Sequence, residues 1–279
     1  MESQAIAQLS ALAQEHRMSV FRLLVRRYPD AVPAGEIAAV LDLRPNTLSS
    51  HLNILRQAGL ILQARRARSL LYRVDMGEAG RLMQFLVGDC CRGRPDLCPT
   101  IPLALNHGGD AMSPRKYRVL FICTGNSARS IFGESILRHE AGDRFEAYSA
   151  GTRPYSKLNP LAVEMLRSKG HDVSPLRAKN VAEFQGDDVP KVDFVFTVCD
   201  LAANEECPSW PGQPITAHWG LPDPVKARGT DAEKRLAFQQ TFGALRNRVL
   251  AFAALPLDSL DRIALQRRVD EIAGTVEAE

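Results

Sequence analysis

Cys123 and Arg129 are separated by five small or turn-forming residues, Thr124, Gly125, Asn126, Ser127 and Ala128, and Ser130 follows. An apolar run, Val119, Leu120, Phe121 and Ile122, stands directly before them. Between a strand-like run and a helix-like run, such a segment describes a loop that wraps a tetrahedral oxyanion. Gly125 and Asn126 allow tight backbone turns, successive N–H groups point inward, and the helix that starts near residue 130 adds its positive end. A cysteine so placed is a nucleophile. Its thiol pKa, about 8.5 when free, falls to about 3.5–7.5 at a helix N-terminus or beside a fixed cation. Arg129 would hold two oxygens of the anion and stabilise the thiolate, and Ser130 could donate its hydroxyl to the same sulfur.

The remaining cysteines are unevenly placed. Cys90, Cys91 and Cys98 form one cluster; Cys199 follows the apolar run 194–198, and Cys207 comes eight positions later. The N-terminus lacks a charged-apolar-small leader pattern and no apolar run approaches the roughly 20 residues of a membrane span, so a cytoplasmic protein without a membrane partner is expected. In a reducing compartment, six cysteines point to metal binding or redox chemistry rather than structural disulfides.

A chain of 279 residues suggests about two domains. Residues 1–100 hold thirteen Arg, no Lys and nine Asp or Glu, a net +4 against +3 for the whole chain. The basic excess therefore sits in the first part, which makes nucleic acid a candidate partner there. Residues 99–114, with Pro99, Pro102, Gly108, Gly109 and Pro114, read as a linker between domains at 1–98 and 115–255, and 256–279 as a tail. Apolar spacing predicts helices over 4–27, 34–41 and 46–58, the last stopping at Gly59, then two strands within 60–74 around a basic turn. A short helix, a turn and a polar-faced helix make a winged helix-turn-helix, an α+β unit. Asn46, Thr47, Ser49, Ser50 and His51 would face base edges, and Arg65, Arg66 and Arg68 phosphates or a minor groove.

After residue 116 strands and helices alternate: strand, anion loop, helix 130–140, strand 145–149, helix 160–169, strand 194–198, long helix 231–254. The alternation implies an α/β domain with a central parallel sheet and helices on both faces. The loop then lies at the carboxyl end of its first strand, where such folds bind ligands. Leu260, Ile263, Val269 and Ile272 predict one more helix in the tail.

Glu15-His16-Arg17, Ser50-His51-Leu52, Leu55-Arg56-Gln57-Ala58-Gly59-Leu60 and Tyr72 resemble the ArsR/SmtB family of winged-helix repressors over residues 5–88. The resemblance implies a homodimer that releases operator DNA when a metal or metalloid binds. The helix before the recognition helix, Glu36-Ile37-Ala38-Ala39-Val40-Leu41-Asp42, lacks the cysteine pair of that family's best-known arsenic sensors. Cys90, Cys91 and Cys98, after the expected helix 79–87, instead resemble members with a three-thiolate arsenite site at the end of the dimerising helix. Three thiolates suit trivalent arsenic as inducer; with His107 as a fourth ligand, zinc stays open.

Cys123 to Ser130 together with Asp223-Pro224, within Trp219-Gly220-Leu221-Pro222-Asp223-Pro224, are similar to the low-molecular-weight tyrosine phosphatase superfamily. The resemblance implies that Asp223 is the general acid that protonates the leaving oxygen. Cys199 and Cys207 resemble the redox segment of thiol-coupled arsenate reductases on the same fold. That implies a relay: Cys123 attacks arsenate, Cys199 attacks Cys123 with release of arsenite, and Cys207 then attacks Cys199. Thioredoxin or a low-molecular-weight thiol would be the reductant, with no tightly bound catalytic cofactor. The expectation is a repressor fused to an arsenate reductase; the alternative is a tyrosine phosphatase fused to a metal-responsive regulator.

Overall fold

Gln14 breaks the N-terminal apolar pattern into two helices, α1 (Glu2–Leu12) and α2 (Glu15–Arg26), because its side-chain oxygen accepts from Arg17 N at 2.9 Å and caps the second. The structure, a computed structural model, describes residues 2–90, 116–185, 189, 191–205, 210 and 213–274. The expected linker 99–114 lies outside the described residues, as do Cys91, Cys98, His107 and Cys207. The chain divides into two units, Met1–Ala104 and Leu105–Glu279.

In the first unit α2 buries Val20, Leu23 and Leu24, the one-face spacing of an amphipathic helix. β1 (Val32–Pro33) leads into α3 (Ala34–Val40), and α4 (Pro45–Gln57) opens on a proline at its first position and buries Leu48, Leu52 and Leu55 against the same core. Gly59, at φ +77°, stops α4 in the left-handed conformation that glycine adopts without cost. β2 (Ile61–Arg66) and β3 (Ser69–Val74) pair antiparallel from Ile61↔Val74 to Arg66↔Ser69, so only Ala67 and Arg68 make the turn. β1 joins the other edge of β3 through Val32↔Tyr72, a strand too short to leave a periodic signature. α5 (Met76–Gln84), capped by Asp75 through Glu78 N, begins three residues before the expected start. It passes into a π-helical turn, Phe85–Cys90, which carries the chain to Cys90.

The second unit runs β4 (Tyr117–Cys123), α6 (Arg129–Ala141), β5 (Phe145–Gly151), α7 (Pro160–Ser168), β6 (Phe194–Thr197), α8 (Asp200–Asn204), β7 (Ile215–His218), α9 (Asp231–Ala253) and α10 (Arg262–Gly274). Its sheet has the order β5-β4-β6-β7 with every pair parallel. The register, Cys123↔Gly151, Ile122↔Thr197 and Thr197↔His218, brings the carboxyl ends of all four strands level. Cys123, Cys199 and the segment after His218 therefore meet at one edge. β7 and α8 are four and five residues long, below what sequence periodicity resolves. Behind this edge the core is aromatic, with Phe121, Phe132, Phe145, Phe194, Phe196, Trp219, Phe238 and Phe252 fully buried. Among the described residues no helix is long and apolar enough to cross a membrane.

Candidate functional site

Cys123 is the last residue of β4 and Arg129 the first of α6, so the strand and the helix fix both ends of the loop between them. The Cys123 Sγ lies 2.9 Å from Ser130 Oγ and receives the Asn126 N–H at 3.2 Å. Asn126 takes φ +42°, a left-handed turn that asparagine tolerates better than most residues. Its Nδ2 donates to Ser130 Oγ (2.8 Å) and Ser149 Oγ (2.9 Å), and its Oδ1 accepts from Lys179 N (2.7 Å). Ser149 Oγ and Lys179 Nζ both donate to Glu134 Oε2, at 2.5 and 2.9 Å. The anion loop thus rests on a buried polar network drawn from α6, β5 and the segment before residue 180. Gly125 has an ordinary φ; what it provides is room, since a Cβ there would stand 2.5 Å from the Tyr155 ring.

The expected bias toward the Cys123 thiolate is corrected here. Burial first, and then the neighbouring Cys199, push the Cys123 thiol up; hydrogen bonds from Ser130 and the charge of Arg129 pull it down without prevailing. Arg129 is held by partners of its own. Its Nη2 is 2.9 Å from Asp223 Oδ2 and its Nη1 donates to Leu221 O at 2.9 Å, so its charge is met by a carboxylate. Asp223 caps a short 3₁₀ turn that starts at Pro224. The structure brings Cys123, Arg129, Asp223 and Cys199 to the same edge of the sheet; Cys207 lies outside the described residues.

Cys199 is buried at the N-cap of α8, where its Sγ accepts from Ala202 N (3.4 Å) and lies 3.5 Å from Thr124 Oγ1 of the anion loop. A second thiol therefore touches the loop that holds the first. In the first unit Asn46, Thr47, Ser49 and Ser50 are exposed along α4, and Arg65, Arg66 and Arg68 are exposed at the tip of the β2–β3 hairpin. Ser49 and Ser50 return their hydroxyls to the Pro45 and Asn46 carbonyls. His51 departs from the expected base-facing role: both ring nitrogens are buried, with its ring 5.7 Å from that of His16. Burial, followed by His16 and Arg17, holds its pKa below the ordinary value. Cys90 is exposed at the end of the π-helical turn; Cys91 and Cys98 lie outside the described residues.

The profile of low molecular weight phosphotyrosine protein phosphatases matches residues 118–264. The chain belongs to that family. A helix-turn-helix domain profile matches residues 12–64, so a helix-turn-helix unit and a phosphatase-family domain are fused in one chain. The phosphatase-family part is 37% identical over 138 residues to an arsenate reductase of Bacillus licheniformis, covering 50% of this chain and 96% of that relative. It is 36% identical over 135 residues to an arsenate reductase of Bacillus subtilis, covering 48% and 94%. A solved thioredoxin-dependent arsenate reductase of Corynebacterium glutamicum is 30% identical, covers 47% of this chain and 58% of that one, and superposes with a TM-score of 0.35.

Sequence reasoning missed several residues of the phosphatase-family site. Asn126 is expected in the oxyanion loop, but its side-chain bonds to Ser130, Ser149 and Lys179 leave no sequence signal, and neither do Ser149, Glu134 and Lys179, because their partners are distant in sequence. His218 is buried on β7 between Thr197 Oγ1 (Nδ1, 2.9 Å) and Asp200 Oδ1 (Nε2, 3.2 Å), and so ties β6 to the first turn of α8 beside Cys199. Across the mouth Arg153 pairs with Glu205 at 3.1 Å, linking the residues after β5 to the residue that ends α8.

Proposed function

We propose that the chain is an arsenate reductase fused to an arsenite-responsive DNA-binding repressor. The observation that carries this reading is the second buried thiol, Cys199, against the anion loop of Cys123. Hydrolysis of a phosphate ester needs one thiol, since water completes the reaction; reduction of arsenate needs two electrons, and two thiols forming a disulfide supply them.

The Cys123 thiol gives up its proton to the Asp223 carboxylate as the anion binds; Cys123, now a thiolate, attacks arsenic, the arsenic–oxygen bond breaks, and Asp223 passes that proton to the departing hydroxyl, which leaves as water. Arsenate in the loop would draw the Arg129 guanidinium onto its oxygens and away from Asp223, which frees the carboxyl and returns positive charge to the nucleophile. The thiolate of Cys199 then attacks the Cys123 sulfur. A Cys123–Cys199 disulfide forms, the sulfur–arsenic bond breaks, and its electron pair leaves with arsenic as arsenite. Cys207 attacks Cys199, which frees Cys123, and an external dithiol such as thioredoxin or a low-molecular-weight thiol reduces the Cys199–Cys207 disulfide. Arsenite is in turn the inducer that Cys90, Cys91 and Cys98 capture at the end of the α5 segment of a homodimer, releasing operator DNA from α4 and the hairpin arginines. The phosphatase reading is favoured by one fact, that Cys123, Arg129 and Asp223 make a complete hydrolytic set without Cys199.

One purified sample separates the two. Arsenate-dependent consumption of reductant is expected from the native chain and is lost in Cys199→Ser, which keeps whatever aryl phosphate hydrolysis the native chain has. Aryl phosphate hydrolysis with no arsenate-dependent consumption would overturn the reductase reading. Cys123→Ser should lose both reactions, by more than about a thousandfold, as expected on removing a nucleophile.

A further inference from the structure

The family profile ends at residue 264, three residues into α10, so nearly all of that helix lies beyond the matched stretch. α10 is nonetheless built into the domain. Leu265 and Val269 are fully buried in the common core, Gln266 Nε2 donates to Thr216 O of the edge strand β7 at 2.8 Å, and Arg262 donates to Gln213 O. Its other attachments converge on the segment that leads to Asp223. The Trp219 indole, stacked on Phe196 with centroids 4.0 Å apart, donates from Nε1 to Val269 O at 3.2 Å. Arg248 of α9, 6% exposed, spans the gap: Nη1 donates to Gly220 O at 3.1 Å and Nη2 to Ala273 O at 3.2 Å. Two arginines thus grip consecutive carbonyls, Arg248 that of Gly220 and Arg129 that of Leu221.

We propose that α10 and Arg248 brace the acid-bearing segment, with Arg248 as a positioning residue that sets where Asp223 stands relative to the anion loop. The inference rests on the reading of Asp223 as the general acid. A guanidinium suits the task because its planar fork offers two donors in fixed directions, one to the helix end and one to the segment. When the anion draws Arg129 away from Leu221 O and Asp223, the Arg248 and Trp219 bonds remain to hold the segment in place. A displacement of about 1 Å in a reacting group can cost on the order of a hundredfold in rate.

The test is a double-mutant cycle on the full chain, reading arsenate-dependent consumption of reductant together with the melting temperature. Arg248→Gln is expected to lower kcat about tenfold while KM for arsenate stays within about twofold, since the loop and Arg129 still bind the anion. Arg248→Lys, which keeps the charge and N–H donors but loses the planar fork that spans both carbonyls, should recover part of that loss. In an Asp223→Asn background Arg248→Gln should cost nothing further, because its effect passes through the carboxyl. An unchanged kcat in Arg248→Gln, or losses that add in the double variant, would overturn the brace. If Asp223→Asn itself leaves kcat unchanged, the acid reading fails instead, and the two failures are told apart. Should Arg248→Gln not fold, Trp219→Phe keeps the ring stack, removes only the N–H to Val269, and goes through the same cycle with the same two outcomes.

Discussion

The loop after Cys123 and the exposed face of α4 with its hairpin are built on opposite physical plans. Around Cys123 the polar atoms are buried and partnered: Asn126, Ser149, Glu134 and Lys179 close on one another, and the Cys123 thiol sits against that lattice through Ser130 and Asn126. Along α4 and the hairpin the polar atoms face outward, and the core beneath consists of Leu48, Leu52, Leu55, Tyr72 and Val74. Reaction chemistry requires groups held still and shielded from water, whereas a surface that reads a polyanion keeps its donors solvated until the partner displaces that water and its counterions. The same difference should make the first region sensitive in stability and the second sensitive only in binding.

The largest break in that contrast would come from Lys179→Met. Removing the ammonium leaves the Glu134 carboxylate, 2% exposed, with Ser149 and the half-buried Arg138 as its remaining partners. Loss of one partner from a buried ion pair should cost about 3 kcal/mol, read as a fall in the denaturant midpoint with an unchanged slope. A loss under about 0.5 kcal/mol would mean the network is less closed than its geometry. Next, replacing Arg65, Arg66 and Arg68 together by Ala should leave the melting temperature nearly unmoved while weakening operator binding roughly ten- to a hundredfold. It should also reduce the salt slope of log K by about 2–3, one counterion set per lost phosphate contact. Unchanged slope would remove the hairpin from the interface.

The smallest effect sharpens the comparison from within the catalytic unit. Burial, with Glu271 adding to it and the Gln266 hydrogen bond opposing it, pushes the Asp270 carboxyl from 3.8 up to about 6. Between those values the folded chain holds the proton and the unfolded chain does not, so stability falls as pH rises from about 4 through 6. Asp270→Asn should flatten that fall and stabilise the domain at pH 8 by about 1 kcal/mol, allowing for solvent screening of a group that is not fully buried. Melting curves at pH 4 and pH 8 check the sign.

Much of the candidate site was legible because it is local. Cys123, Arg129 and Ser130 lie within eight residues, and a strand, a loop and a helix must place them together. The helix-turn-helix was legible for the same reason, since Leu48, Leu52 and Leu55 state which face of α4 is buried and leave Asn46, Thr47, Ser49 and Ser50 on the other. His51 shows where that logic stops. Its position on the helix allowed a solvent-facing reading, and only the packing of α2 against α4, with His16 beside it, turned its nitrogens inward. The short elements β1, β7 and α8 escaped because two to five residues carry no period.

By itself, then, the sequence determined the two-domain order, the loop that joins Cys123 to Arg129, and the positions of the other thiols, since each is written in neighbouring residues and in the geometry a strand or helix imposes on them. The tertiary structure alone decided that Cys199 touches the loop after Cys123, that Glu134 and Lys179 underlie it, that Arg129 pairs with Asp223, that burial and Cys199 leave the Cys123 thiol raised, and that α10 reaches the segment before Asp223 through Trp219 and Arg248. Each of these joins residues far apart in the chain, through strand register and the burial of charge. Neither leaves a trace in local composition, because both depend on which distant groups the fold excludes from water together.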